Sequence, residues 1–277
     1  MEPSTCGHCG GLVQARDPKC PRCGRFAPAL FGFRPALLRI FPTQGDRTRP
    51  LLLALVAVFL ATMLVSQRRG GLERGSLLSA LSPDMRTLFD FGMLVPLDML
   101  ETIEPWRWLT YAFLHGGLLH ILFNASALHS LGNHIEHLLG SARLITLFVV
   151  SGIGGGLACS LLTPTDFVVG ASGSLFGLNA ALIAYGYRRG GNVGADIRAV
   201  AWRWLIASFL MTAMIPSISH AGHAGGAVAG GIASYLMKPR RAGERESDAA
   251  LLWGAISLLV IAACVIAAAH AALTRPE

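Results

Sequence analysis

The sequence predicts an all-α polytopic membrane protein with a small zinc-ribbon unit at its N-terminus. Three observations carry that prediction. Of 277 residues, 53% are hydrophobic and only 14% charged, against roughly one quarter charged in soluble domains; the mean hydropathy is +0.52. Apolar stretches close to the ~20 residues that cross hydrocarbon as helix recur along the chain. Basic residues gather on alternate connections between those stretches.

Seven spans are expected, at 50–66, 111–133, 142–162, 168–187, 200–216, 220–237 and 250–272. The net charge of +7 would suit a nucleic-acid partner, but its distribution reads as topology instead. Apart from Arg68, Arg69, Arg74, Arg86, Arg107 and Arg275, every Lys and Arg falls on the same side as the N-terminus. Positive charge marks the cytoplasmic side, so a cytoplasmic N-terminus in a cell membrane is predicted and no nucleic acid is expected. The first thirty residues are polar and rich in Cys and Gly, unlike a cleavable signal peptide.

Residues 1–27 form a unit of their own. Cys6-x2-Cys9 and Cys20-x2-Cys23 are two knuckles, each followed by glycine. Four thiolates in CxxC pairs suit tetrahedral Zn2+, and so small a module would draw its folding energy from the metal. Disulfides or a redox pair are the alternatives; a cytoplasmic face disfavours the first. Residues 28–49 read as a linker containing Pro and Arg, either lying on the membrane surface or acting as a plain tether. After the first span, 67–110 is a long outer segment ending in Trp106-Arg107-Trp108, which suits an interfacial aromatic belt. A basic loop at 239–249 precedes the last span, 250–273.

The chemistry sits in spans two, four and six, which all run inward. His120 and Asn124 are four residues apart and share a helix face. Ser172 begins span four and His223 begins span six. At 1.5 Å per residue, all four lie about 10 Å below the outer surface. Buried hydroxyl and imidazole groups at membrane depth point to function. Ser172 is the candidate nucleophile and His223 its base. The Ser172 N–H, Asn124 and His120 are the candidate oxyanion donors. No carboxylate lies near His223 in sequence, so a dyad is expected, with Phe176 placed to pack on the imidazole. Gly173/Gly177 and Gly226/Gly230 are small-xxx-small pairs that let two helices approach closely.

These residues resemble a rhomboid intramembrane serine protease over about 50–238. The matching elements are Trp106-Arg107, His120-xxx-Asn124, Gly132-xxx-Glu136-xxx-Gly140-Ser141, Gly170-Ala171-Ser172-Gly173 and His223-Ala224-Gly225-Gly226. The resemblance implies a six-helix core with 250–273 as a seventh helix. It also implies cleavage of single-pass transmembrane proteins in or near their membrane segment, with the lipid bilayer as surroundings. Phe176 stands where some members have tyrosine, and His220 where a smaller polar residue is commoner.

Plainer readings stand beside these. Glu136 is expected to hold structure near the cytoplasmic end, and Arg107 to anchor the outer loop through hydrogen bonds and lipid phosphate. His129, His134 and His137 suggest a metal but read better as interfacial or packing histidines. Cys159 and Cys264 read as inert packing thiols. The ribbon is a candidate for binding a protein partner. The rival functions are a catalytically silent rhomboid-like binder of membrane proteins and a transporter, the latter predicting internal repeats that the sequence lacks.

Overall fold

Each of the seven expected spans corresponds to a helix in the computed structural model, which describes residues 4–14, 16–42, 46–70, 81–163, 167–215, 218–238, 240, 244 and 246–274. A two-residue hairpin, β1 (Ser4–Thr5) with β2 (Leu12–Val13), opens the chain, paired antiparallel with Ser4 opposite Val13. Then come α1 (Arg34–Ile40), α2 (Thr48–Arg68), α3 (Met85–Asp90) and α4 (Arg107–Thr110). The long helices continue as α5 (Leu118–Leu139), α6 (Ser141–Leu162), α7 (Ser172–Arg189), α8 (Gly191–Ala213), α9 (His220–Leu236) and α10 (Asp248–Thr274).

Helices α2, α6 and α10 are each long and apolar enough to cross a membrane, and α4 through Phe113 joins α5 as a span bent by 96°. Helix α7 carries serine, asparagine and glycines because it meets protein rather than lipid. It packs on α5, α6, α8 and α9, and nearly all of it from Gly173 to Gly186 is buried. Polar groups at membrane depth are tolerated in that setting. The apolar faces left uncovered, such as Leu53, Leu60 and Leu64 on α2 and Leu252, Ile256 and Leu259 on α10, suit a lipid surround.

Three boundaries differ from expectation. The second span, expected to run unbroken from 111, breaks at Leu114–Gly117, and its long helix starts only at Leu118. Leu114 and Gly117 are both extended, which interrupts the helix despite the apolar run around them. The fourth span starts at Ser172 and not 168, because Val168 is held in an antiparallel bridge with Leu94 of the outer segment, at 2.9 and 3.1 Å. Helix α8 begins at Gly191, well before 200, since helix continues past the apolar part through polar residues such as Asn192 and Asp196.

Part of the stretch read as a linker, on the membrane surface or as a tether, packs against the helices. Pro35 sits in the first turn of α1, where its missing N–H is harmless. Arg34 and Phe41 at the two ends of α1 are fully buried against the membrane helices. Glu136 on α5 accepts from the N–H groups of Arg47 (2.8 and 2.9 Å) and Thr48 (3.1 Å) and from the Thr48 hydroxyl (3.0 Å). A carboxylate there both satisfies and charge-complements the start of α2.

Candidate active site

The site forms where α7 and α9 begin. Gly170 has φ +125, a conformation that a side chain disfavours, and its N–H donates to the Tyr111 carbonyl at 2.9 Å. A Cβ at Gly170 would stand 2.6 Å from His120 Nε2, so the imidazole occupies the glycine's bare face, two residues before Ser172. Among the described residues, no side chain caps α7 at Ala171. Its first amides, Ser172 among them, are therefore left to receive negative charge.

Helix α9 starts behind Ser219, whose hydroxyl accepts from the Gly222 N–H at 3.4 Å. One turn further on, His223 is buried, and its Nε2 lies 2.9 Å from Ser172 Oγ. The Phe176 ring stacks on the imidazole with centroids 4.1 Å apart and planes 9° from parallel. His223 Nδ1 has no hydrogen-bond partner among the described residues.

Glycines set the helix separation. A Cβ at Gly226 would overlap the Gly173 carbonyl, and one at Gly230 the Gly177 carbonyl. The two small-xxx-small pairs thus interleave, and α9 lies backbone to backbone against α7. Asn124 is buried on α5 and donates to the His120 carbonyl at 3.0 Å, one of its two amide protons. A cavity of about 780 Å³ joins Ser172, His223, His120 and Asn124, and continues between α5 (Phe123, Ala127) and α8 (Met211, Thr212).

Other expected residues lie elsewhere. Trp106 precedes α4, and Arg107 is buried. Its guanidinium binds Glu104 (2.5 Å) and the carbonyls of Phe89 (2.9 Å) and Met93 (2.5 Å), and stacks over the Phe89 ring. That ties the outer segment to itself. His129, His134 and His137 are exposed along α5, and among the described residues they join no cluster able to hold a metal. Cys159 Sγ lies 3.3 Å from Ser219 Oγ, so it supports the start of α9 and does more than fill space.

Cys6, Cys9, Cys20 and Cys23 converge, with all four sulfurs within 4.8 Å of one another. The Cys6–Cys23 and Cys9–Cys20 separations are 3.7 and 3.6 Å, close to the ~3.8 Å edge of a tetrahedron with Zn–S bonds of about 2.3 Å. The donor set fits a structural zinc ion. Burial pushes the Cys20 thiol up, but the N–H groups of Cys23 and Arg22 and the neighbouring thiols outweigh it and bring Cys20 down to about 7. The Arg25 N–H pulls Cys23 down, yet lost hydration and the other three sulfurs push it up to about 12.

Residues 102–240 match the Rhomboid domain, half of the chain. The chain belongs to the rhomboid family. It is 31% identical over 165 residues to RHOMBOID-like protein 1 of Arabidopsis thaliana, covering 58% of this chain and 42% of that protein. It is 34% identical over 138 residues to rhomboid protease GlpG of Yersinia pestis (strain Pestoides F), covering 49% of each. RHOMBOID-like protein 4 of Arabidopsis thaliana is 28% identical over 158 residues, 57% of this chain and 40% of that protein. The chain thus spans less than half the length of these curated relatives. The rhomboid match begins after α2 and ends before α10, so the cysteine ribbon and the seventh helix lie outside it.

Sequence reasoning passed over two features of this rhomboid site, and noted a third, His115 at the start of span two, without giving it a role. The glycines of α6 from Gly152 to Gly156 admit Tyr111, Trp108 and α9, and their run was readable in the sequence. Asn179, on the Ser172 face of α7, lines the cavity. His115 is fully buried, with its ring 5.1 Å from that of His120. The spacing of these last two carries no signal that separates them from ordinary polar residues.

Proposed function

We propose that this rhomboid is an intramembrane serine endopeptidase that cuts single-pass membrane proteins in or near their transmembrane segment through a Ser172–His223 dyad. The observation that carries this reading is the 2.9 Å contact between Ser172 Oγ and His223 Nε2 beside a cavity at the mouth of two helices. His223 takes the hydroxyl proton as Oγ attacks the peptide carbonyl, and returns it to the departing amine. The oxyanion is received by the Ser172 N–H, the free amide proton of Asn124 and the His120 imidazole. Water then enters the same cavity and hydrolyses the acyl-enzyme.

The protease core takes in residues 50–238, with 250–273 as an added seventh helix and 1–27 as a ribbon. The chain sits in a cell membrane with its N-terminus in the cytoplasm, as the distribution of Lys and Arg supports. The cavity's continuation between α5 and α8 supports a substrate arriving from lipid as a helix. Its backbone bonds must open before a carbonyl is exposed, so helix-weakening residues in the substrate favour cleavage.

Labelling purified protein with a fluorophosphonate probe tests the nucleophile. Ser172 is expected to be labelled in the wild type and the label lost in Ser172→Ala. Equal labelling of folded Ser172→Ala would remove the assignment. Incubation with a generic single-pass substrate, with the cut located by mass spectrometry, tests the reaction itself. Substrate capture without any cut would favour the silent binder.

A further inference from the structure

The ribbon has no part in the chemistry above, yet it does not hang free. Among the described residues its own apolar core is Cys6, Val13, Cys20 and Ala29 with Cys9 packed against them, so metal ligation must supply most of its folding energy. The first knuckle, Cys6 to Cys9, presents Gly7 to the membrane helices. A Cβ at Gly7 would overlap the Asp248 carboxylate, the first residue of α10. Asp248 in turn accepts from Arg34 Nε at 2.8 Å, and Arg34 also donates to the Glu246 carbonyl at 3.2 Å.

The chain of contacts continues inward. The Glu246 carboxylate accepts from Arg143 (3.0 Å) and from the Ala142 N–H (3.3 Å), at the turn between α5 and α6. Arg34, Asp248, Glu246 and Arg143 are each buried. Phe41, just past α1, packs between Ala142 and Gly254 of α10. Buried charges hold only while each keeps its partner and stays out of water, so the cover over Asp248 matters to the whole run.

We propose that the ribbon's docking partner is its own membrane domain: the metal-held first knuckle clamps the start of α10, so that metal occupancy decides how firmly the seventh helix is seated. Stripping the metal frees the knuckle, uncovers Asp248 and lets water into its pair with Arg34. The start of α10 then loosens, while the α7–α9 contact, which is glycine-packed and remote in sequence, stays as it was. The partner is thus supplied in the same chain, and an external protein need not be invoked for this face.

Hydrogen exchange on the full-length protein in detergent tests this, comparing the zinc-loaded and chelator-stripped forms. Metal removal is expected to speed exchange in 4–27 and also, by roughly five-fold or more, in 248–256, with 222–230 unchanged. Acceleration confined to 4–27 overturns the proposal, because a merely tethered ribbon behaves that way. A second variant, Gly7→Ala, keeps all four cysteines but pushes Asp248 off the knuckle. It should retain the tetrathiolate absorption of the Co2+-substituted form, exchange fast at 248–256 even when loaded, and no longer respond there to chelation. A Gly7→Ala protein whose α10 still responds like the wild type also overturns it. Neither readout uses Ser172, so failure here and failure of the protease reading are separate results.

Discussion

Phe176 lies flat against His223, its ring one helical turn beyond Ser172 and its centroid 4.1 Å from that of the imidazole. With Nδ1 unpartnered among the described residues, this face contact and the 2.9 Å contact to Ser172 Oγ orient the ring, beside an edge contact with His220 at 6.4 Å. An aromatic pair of this kind is worth about 0.5–1.5 kcal/mol beyond burial. Phe176→Ala should therefore lower kcat roughly ten-fold through lost orientation, with little change in KM, whereas Phe176→Tyr should keep most activity. Steady-state kinetics on a transmembrane substrate decide; an unimpaired Phe176→Ala enzyme would leave the imidazole held by something else.

The glycine contact between α7 and α9 makes a sharper demand. Gly226→Ala places a methyl against the Gly173 carbonyl, backbone that can yield only by moving a helix. The expected cost is on the order of 1–3 kcal/mol in stability, and the Ser172–His223 separation widens with it, so fluorophosphonate labelling should collapse. Gly231→Ala is the control, since its Cβ would meet only ordinary contacts at 3.6 Å and beyond. Thermal unfolding and labelling that do not distinguish the two variants would refute the close-approach argument.

The oxyanion assignment predicts separate losses. Asn124→Ala and His120→Ala should each reduce kcat by about 10²-fold while KM moves little, the pattern of a donor used only in the transition state. Asn124 needs a further check, because one of its protons is already given to the His120 carbonyl. Asn124→Asp removes the donors but not the volume, and full activity in that variant would take Asn124 out of the role.

Why some of this was legible in sequence and some was not follows from the physics of each element. Spans were readable because lipid demands ~20 apolar residues whatever the fold. Ser172 and His223 were readable because a hydroxyl and an imidazole at one depth have few structural reasons to be there. The late start of the fourth span at Ser172 was not, since it depends on the tertiary Leu94–Val168 bridge to the outer segment. Which groups Arg107 binds was not legible, because its acceptors, the Phe89 and Met93 carbonyls, carry no side-chain signature. The packing of Arg34 was hidden for another reason: its partner Asp248 lies more than two hundred residues away in sequence.

Asn179 is a polar residue whose purpose only the structure reveals. With its amide oriented to satisfy both neighbours, it donates to the Ala201 carbonyl at 3.0 Å and accepts from the Leu205 N–H at 3.2 Å. Those two groups form one rung of α8, so the side chain engages that helix by its backbone. Few residues of α8 are buried, chiefly Gly194, Ala201 and Thr212, which makes this bond a main fixing point beside the cavity. Asn179→Leu should quicken hydrogen exchange at 205–213 by roughly ten-fold and leave 191–200 unchanged. Uniform exchange along α8 in both proteins would show that packing alone fixes the helix.

Acid should empty the ribbon, and the direction follows from its thiols. Cys20 is lowered from its ordinary value of 9.0 to about 7 in the folded ribbon. A lowered acid contributes stability that is complete above 9.0 and lost as pH falls through about 7. Cys23 is raised to about 12, so near neutrality it still carries a proton that the incoming metal must displace. Metal affinity should therefore rise steeply with pH from 6 to 8, with protons released on binding. Competition titrations with a chromophoric chelator, run in two buffers of different ionisation enthalpy, measure both quantities. A flat affinity across that window, with no proton release, would mean that the four cysteines do not bind metal as thiolates.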